Sequence, residues 1–106
     1  MSSPVRYSTA ALRDLDRIWN EVLEASRSPD TTEQYLNDLL DKVEAKSLFP
    51  QSGTPLYYEN DFTGYHYVVF KAYIAFYRVE GEDVFVDRIL YGKSDYLRTL
   101  IPSQEK

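Results

Sequence analysis

Residues Tyr65–Tyr91, YHYVVFKAYIAFYRVEGEDVFVDRILY, are the stretch on which the fold turns. β-Branched and aromatic side chains alternate there with small or charged ones, and only Lys71-Ala72 and Glu80-Gly81-Glu82-Asp83 interrupt the alternation. A period of two with short polar breaks predicts three consecutive strands of an antiparallel meander. Helices are expected to cover one face of such a sheet. The functional surface is then expected on the other face or along the rim.

Upstream, Val5 to Ser8 is a short alternation that predicts an edge strand, and Ser8 or Thr9 can cap the helix after it. From Ala11 onward Leu12, Leu15, Ile18, Trp19, Val22 and Ala25 recur at helical steps, which assigns Arg13, Asp14, Asp16, Arg17, Glu21 and Glu24 to the opposite, polar face. Asp30 followed by Glu33 reads as the capping-box start of a second helix, striped by Leu36, Leu39, Leu40 and Val43 and ended by Phe49-Pro50. Helices linked this closely predict an αα-hairpin.

Pro50 to Gly64, PQSGTPLYYENDFTG, reads as one long irregular connection carrying exposed Tyr57, Tyr58 and Phe62. Such loops in a compact domain tend to be functional or mobile. Gly92 stops the last strand, Asp95 to Ile101 predicts a short helix, and Pro102 to Lys106 is a polar tail. The fold class is therefore α+β. It comprises an N-terminal strand, a two-helix hairpin, a three-stranded antiparallel meander and a short C-terminal helix, in a single domain over residues 1–106.

Composition narrows the function. The chain has no cysteine and one histidine, which removes disulfides, thiolate chemistry and the usual Cys/His zinc site. The longest apolar run, Tyr67 to Phe70, is far short of the roughly 18 residues a membrane span requires. The N-terminal MSSPVRYS lacks a secretory apolar core, so a cytoplasmic protein is expected. A net charge of −5 opposes non-specific attachment to a phosphate backbone. Charge is uneven, however. Between residues 66 and 101, outside the 80–83 turn, Lys71, Arg78, Arg88, Lys93 and Arg98 face only Asp87 and Asp95.

Four stretches, taken in order, carry a family resemblance: ALRDLDRIWNEV (11–22), FPQSG (49–53), GYHYVVFKAYIAFYRV (64–79) and VDRILYGKSDYLRTL (86–100). Together they resemble the RelE/ParE family of toxins from bacterial type II toxin-antitoxin systems, across Val5 to Ile101. The resemblance implies a RelE-like fold and a toxin that arrests growth. The first reading is inhibition of translation through ribosome-dependent mRNA cleavage. A ParE-like toxin that inhibits DNA gyrase by binding, or a catalytically inactive family member, are the alternatives. It also implies a cognate antitoxin whose flexible segment folds onto the toxin, oligomers assembled through that antitoxin, a ribosome with mRNA or DNA gyrase as target, and no cofactor.

Cleaving RNA through its own 2′-hydroxyl needs no metal, only groups that move protons and cations that stabilise the phosphate. His66, Lys71, Arg88, Tyr91 and Lys93 are the candidates, all in the meander or just beyond it. Strict alternation along the last strand places Arg88 with Val84, Val86 and Leu90, and Tyr91 with Phe85, Asp87 and Ile89. Plain alternatives stand beside each: an ion pair of Arg88 with Asp87, a hydrogen-bonded sheet histidine, and tyrosines that only pack. Arginines implied by the resemblance to mRNA-cleaving members fall on Ile74 and Ser94, and basic positions of the first meander strand on His66 and Val68. Lys93 is retained.

Overall fold

Ser8 starts the first helix by two bonds at once. In the computed structural model, which describes residues 5–101, its Oγ accepts the Ala11 N–H at 2.9 Å and donates to the Asp87 carbonyl at 2.7 Å. The cap therefore also fixes the helix start to the sheet. Strand β1 (Val5–Tyr7) precedes it, and helix α1 runs Thr9–Ser26. Arg27, left-handed at φ 59°, closes α1 by donating its N–H to the Leu23 carbonyl.

Helix α2 (Pro29–Glu44) is capped by Ser28, whose side chain accepts from the Thr31 N–H, with Pro29 at the first helical position. The expected Asp30–Glu33 capping box is thus replaced by a cap two residues earlier, and Asp30 sits in the first turn, where its charge suits the helix dipole. The helix also ends before Phe49. Two 3₁₀ turns, Ala45–Ser47 and Pro50–Ser52, fill the remainder.

The largest departure from the sequence reading lies in residues 54–64. These are strand, not irregular connection: β2 (Thr54–Tyr58) and the start of β3 (Asp61–Phe70) form a hairpin. Glu59 and Asn60 both take positive φ, 52° and 72°, the backbone of a two-residue turn that matches the twist of its strands. β4 (Tyr73–Glu80) and β5 (Asp83–Tyr91) follow, and α3 (Tyr96–Leu100) comes last. The sheet is five-stranded in the order β1-β5-β4-β3-β2, with β1 parallel to β5 and every other pair antiparallel. β1 is an edge strand, as its sequence predicts. The tail from Pro102 lies outside the described residues.

One face of the sheet carries Val68, Ala75, Tyr77, Val86 and Ile89, packed on Ala11, Ile18, Leu39 and Val43 of the helical hairpin. Burying one such aliphatic side chain contributes about 1.5–3 kcal/mol, and this is the main core. Strand alternation turns Phe76 and Leu90 to the other face, where they meet Leu56 and Leu100, with Tyr96, Leu97 and Ile101 alongside. The expectation of helices on a single face is therefore corrected. α3 covers part of the second face because Leu97 and Leu100 need an apolar partner, and the helical hairpin already occupies the first.

A bulge in β5 breaks the expected alternation. Tyr77 pairs with Val86 and Phe76 with Arg88, so Asp87 is an extra residue opposite that step. The parity beyond it flips. Val84, Val86 and Ile89 lie in the helix-side core while Leu90 joins the other one, which corrects the grouping of Leu90 with Val84 and of Ile89 with Asp87.

Tyrosine hydroxyls tie the layers together. Tyr7 donates to Glu44 at 2.9 Å, Tyr73 to Glu21 at 2.6 Å, and Tyr77 to the Pro50 carbonyl at 3.0 Å. Burial raises the Tyr7 and Tyr73 phenols, and the carboxylate each one meets raises them further, so both stay protonated and able to donate. The fully buried Tyr77 ring also explains the FPQSG stretch. A Cβ built on Gly53 would overlap its hydroxyl and ring carbons. Gly53→Ala is therefore expected to destabilise the chain by about 1–3 kcal/mol through forced displacement of a buried ring. A lowered denaturation midpoint at unchanged m-value checks this, and an unchanged midpoint contradicts it.

Candidate functional site

The most strongly organised polar cluster is centred on Asp14 of α1. Its side chain is 2% exposed. Arg88 grips it with two bonds, Nε to Oδ2 at 2.7 Å and Nη2 to Oδ1 at 2.9 Å. The Ile89 N–H adds a third at 2.9 Å and Arg17 a fourth at 2.8 Å. A second Arg17 nitrogen donates to the Ile89 carbonyl at 3.1 Å. β1 pairs with β5 only as far as Val86, so Asp14 and Arg17 satisfy both backbone groups of Ile89 where the strand partner has run out.

Burial pushes the Asp14 carboxyl up, but the hydrogen bonds from Arg88, Ile89 and Arg17 outweigh it, and the group titrates below the usual aspartate range. The sequence assigned Asp14 to the polar face of α1. That is corrected here, since Ala11, Asp14 and Ile18 are the buried residues of the helix. The signal was available, because steps of three and four from Ala11 place Asp14 on their shared face.

Arg88 is therefore held by Asp14, and it is Arg78 that takes Asp87. Arg78 Nε reaches Asp87 Oδ2 at 2.8 Å and its Nη1 reaches Glu80 at 2.7 Å. Tyr65 donates to the same Asp87 oxygen at 2.9 Å. Burial, and then that carboxylate, push the Tyr65 phenol up to about 12.

The other candidates divide by position along the strands. Lys71 lies in the β3–β4 turn at φ 52°, its Nζ 5.2 Å from the centroid of the Tyr35 ring and 5.5 Å from that of Phe70. Tyr91 ends β5 opposite Tyr73, is 44% exposed, and makes an edge contact with the Tyr73 ring at 6.0 Å. The Gly92 N–H donates to the Ala72 carbonyl at 2.8 Å, which brings exposed Lys93 to the same end of the sheet as Lys71. Lys71, Tyr91 and Lys93 thus share one end.

His66 does not join them. It pairs with Tyr77 in mid-sheet and is 7% exposed, stacked on the Tyr77 ring at 5.6 Å and met edge-on by Phe62 at 5.4 Å. Its Nδ1 is buried with no hydrogen-bond partner, and burial lowers its pKa. Of the two positions where the resemblance implies arginine, Ile74 packs against the second core, and the Ser94 hydroxyl donates to the Tyr91 carbonyl at 2.6 Å. Among the described residues, no group of three His, Cys, Asp or Glu is placed to hold a metal ion, and no helix is long and apolar enough to cross a membrane.

A helical hairpin lies on one face of a mixed five-stranded sheet and a short C-terminal helix on the other. The model of the ParE toxin of the type II toxin-antitoxin system, parDE, matches residues 5–96, and the chain belongs to that family. Its fold is similar to a chain of the chromosomal ParDE system of P. aeruginosa, with TM-score 0.70 and 18% identity over 85% of this chain and 96% of that one. It is also similar to a chain of the RelBE2 toxin-antitoxin complex of Mycobacterium tuberculosis, with TM-score 0.60 and 23% identity over 86% and 99%. No curated protein sequence matches it.

Two outcomes test these environments. Asp14→Ala strips two arginines and a strand N–H of their acceptor, and is expected to cost about 3 kcal/mol, as removal of one partner of a buried ion pair does. A denaturation midpoint within error of wild type would contradict the central place given to Asp14. His66 is less basic folded than unfolded, so its contribution to stability is complete above the ordinary histidine value and is lost as pH falls from there through the lower folded value. His66→Phe is expected to flatten the stability profile in the pH window below the ordinary histidine value of about 6.5. An unchanged slope in that window contradicts it.

Proposed function

We propose that this protein is a toxin that arrests growth by binding DNA gyrase in the cytoplasm, and that a cognate antitoxin folding onto it neutralises it. The single observation that carries this reading is the state of the proton-moving groups. Arg88 is engaged with buried Asp14, and His66 is enclosed between rings at mid-sheet. The implied arginine positions are Ile74 and Ser94. Metal-independent RNA cleavage needs an exposed acid, a base and a phosphate-binding cation converging within hydrogen-bond reach of one phosphate. Inhibition by binding needs only a surface. The ParE family match supports the same direction.

The surface we assign to the target is the sheet end carrying Lys71, Tyr91 and Lys93, two cations and a half-exposed ring. In this reading Arg88 and His66 support the sheet rather than touch the target. An amphipathic ring flanked by cations is a common anchor composition at protein interfaces.

Purified gyrase and plasmid DNA provide the test. Added toxin is expected to abolish supercoiling, and Lys71→Glu combined with Lys93→Glu to raise the dose required by about tenfold or more, as loss of paired interface charges does. In a cell-free translation reaction the message is expected to remain intact. Unchanged supercoiling together with cut message would replace this reading with ribosome-dependent cleavage. Unchanged supercoiling with intact message and no growth arrest on expression would mark an inactive family member.

A further inference from the structure

The β2–β3 hairpin and α3 enclose a cleft of about 290 Å³ on the face away from the helical hairpin. Tyr58 and Tyr65 line it with rings, Leu100 and Ile101 with aliphatic groups, and Asp61 with a carboxylate. None of the described residues pairs with that carboxylate, whereas Asp14 and Asp87 are each held by an arginine. Beside the cleft, the Tyr65 hydroxyl leads to Asp87, and Arg78 lies between Asp87 and Glu80, which leaves that trio with one net negative charge. On α3, Arg98 is matched by Asp95. Arg78 and Arg98 are thus each engaged by a carboxylate, and among the described residues the Asp61 carboxylate is left unmatched.

From this charge balance and lining we infer that the cleft receives an arginine side chain from an extended peptide segment of a protein partner. A guanidinium suits the cleft on three counts. Its planar π-face stacks on tyrosine rings such as Tyr58 and Tyr65. Its fork of N–H donors matches a carboxylate in a bidentate manner. Its aliphatic stem covers apolar groups such as Leu100 and Ile101. A phosphate or nucleic-acid strand would meet the Asp61 carboxylate, so the same charge opposes it. β2 is the outer strand of the sheet, so among the described residues no element has to be displaced for a peptide to reach the cleft. The inference does not rest on the gyrase reading, because the cleft lies away from the Lys71–Lys93 end and its charge is of the opposite sign.

Titration of the ¹⁵N-labelled full chain with the peptide acetyl-Gly-Leu-Arg-Leu-Gly-amide, followed by amide chemical shifts, tests it. Saturable shifts are expected at residues 58–65 and 100–101. The citrulline peptide, which has the same shape without the charge, is expected to bind about three- to fivefold more weakly, and Asp61→Asn to lower arginine-peptide affinity by about the same factor, the scale of one solvent-accessible ion pair. Shifts absent from those residues, equal binding of the arginine and citrulline peptides, or full affinity in Asp61→Asn would each overturn the proposal. Concentration-dependent shifts of the same amides without peptide would assign the cleft to a second copy of the chain, and would overturn it as well.

Discussion

A buried carboxylate at the seam between helix and sheet organises this molecule. β5 lies between β1 and β4, yet its outer edge has a strand partner only over residues 84–86. Past that point its backbone groups would face the underside of α1 without partners, a cost of about 1–3 kcal/mol for each group left unsatisfied. Asp14 and Arg17 supply those partners, and Arg88 returns from the strand to neutralise Asp14. The helix thereby serves as the missing length of edge strand. The bulge at Asp87 belongs to the same construction, since the extra residue shifts the parity of β5 and places Arg88 and Ile89 where both meet Asp14.

This seam also bears on function. In the proposed reading, Arg88, bound to a fully buried carboxylate, and His66, enclosed by Phe62 and Tyr77, hold position rather than carry chemistry. What remains exposed separates by charge and place. Lys71, Tyr91 and Lys93 gather at one end of the sheet, while the Asp61 cleft opens between the hairpin and α3. If both proposals hold, opposite charge on separate surfaces lets the toxin meet different partners without one site serving both.

The second core gives α3 its place. A five-residue helix has no independent stability, so its position depends on what Leu97 and Leu100 bury against. Phe76, with no exposed surface, lies directly under it, and the Tyr96 ring is 5.1 Å from the Phe76 ring. Coverage of both faces therefore follows from residues such as Ile74, Phe76 and Leu90, which are as apolar as their neighbours on the opposite side.

Much of the architecture was legible in the sequence, because hydrophobic period is a local property. The steps from Ala11 to Ala25 gave α1, and the alternation from Tyr65 to Tyr91 gave three strands. Gly92 marked the end of β5, and the ordered resemblance over residues 5–101 pointed to the family. Within 54–64, by contrast, strand pairing depends on a partner, and Glu59-Asn60 lacks the glycine that usually marks a two-residue hairpin turn. Tertiary structure alone decided the bulge at Asp87, the choice of Asp14 over Asp87 as partner of Arg88, and the enclosure of His66. Periodicity records which side chains avoid water. Which charge meets which, and which edge needs closing, are set only when segments some 75 residues apart, such as Asp14 and Ile89, come into contact.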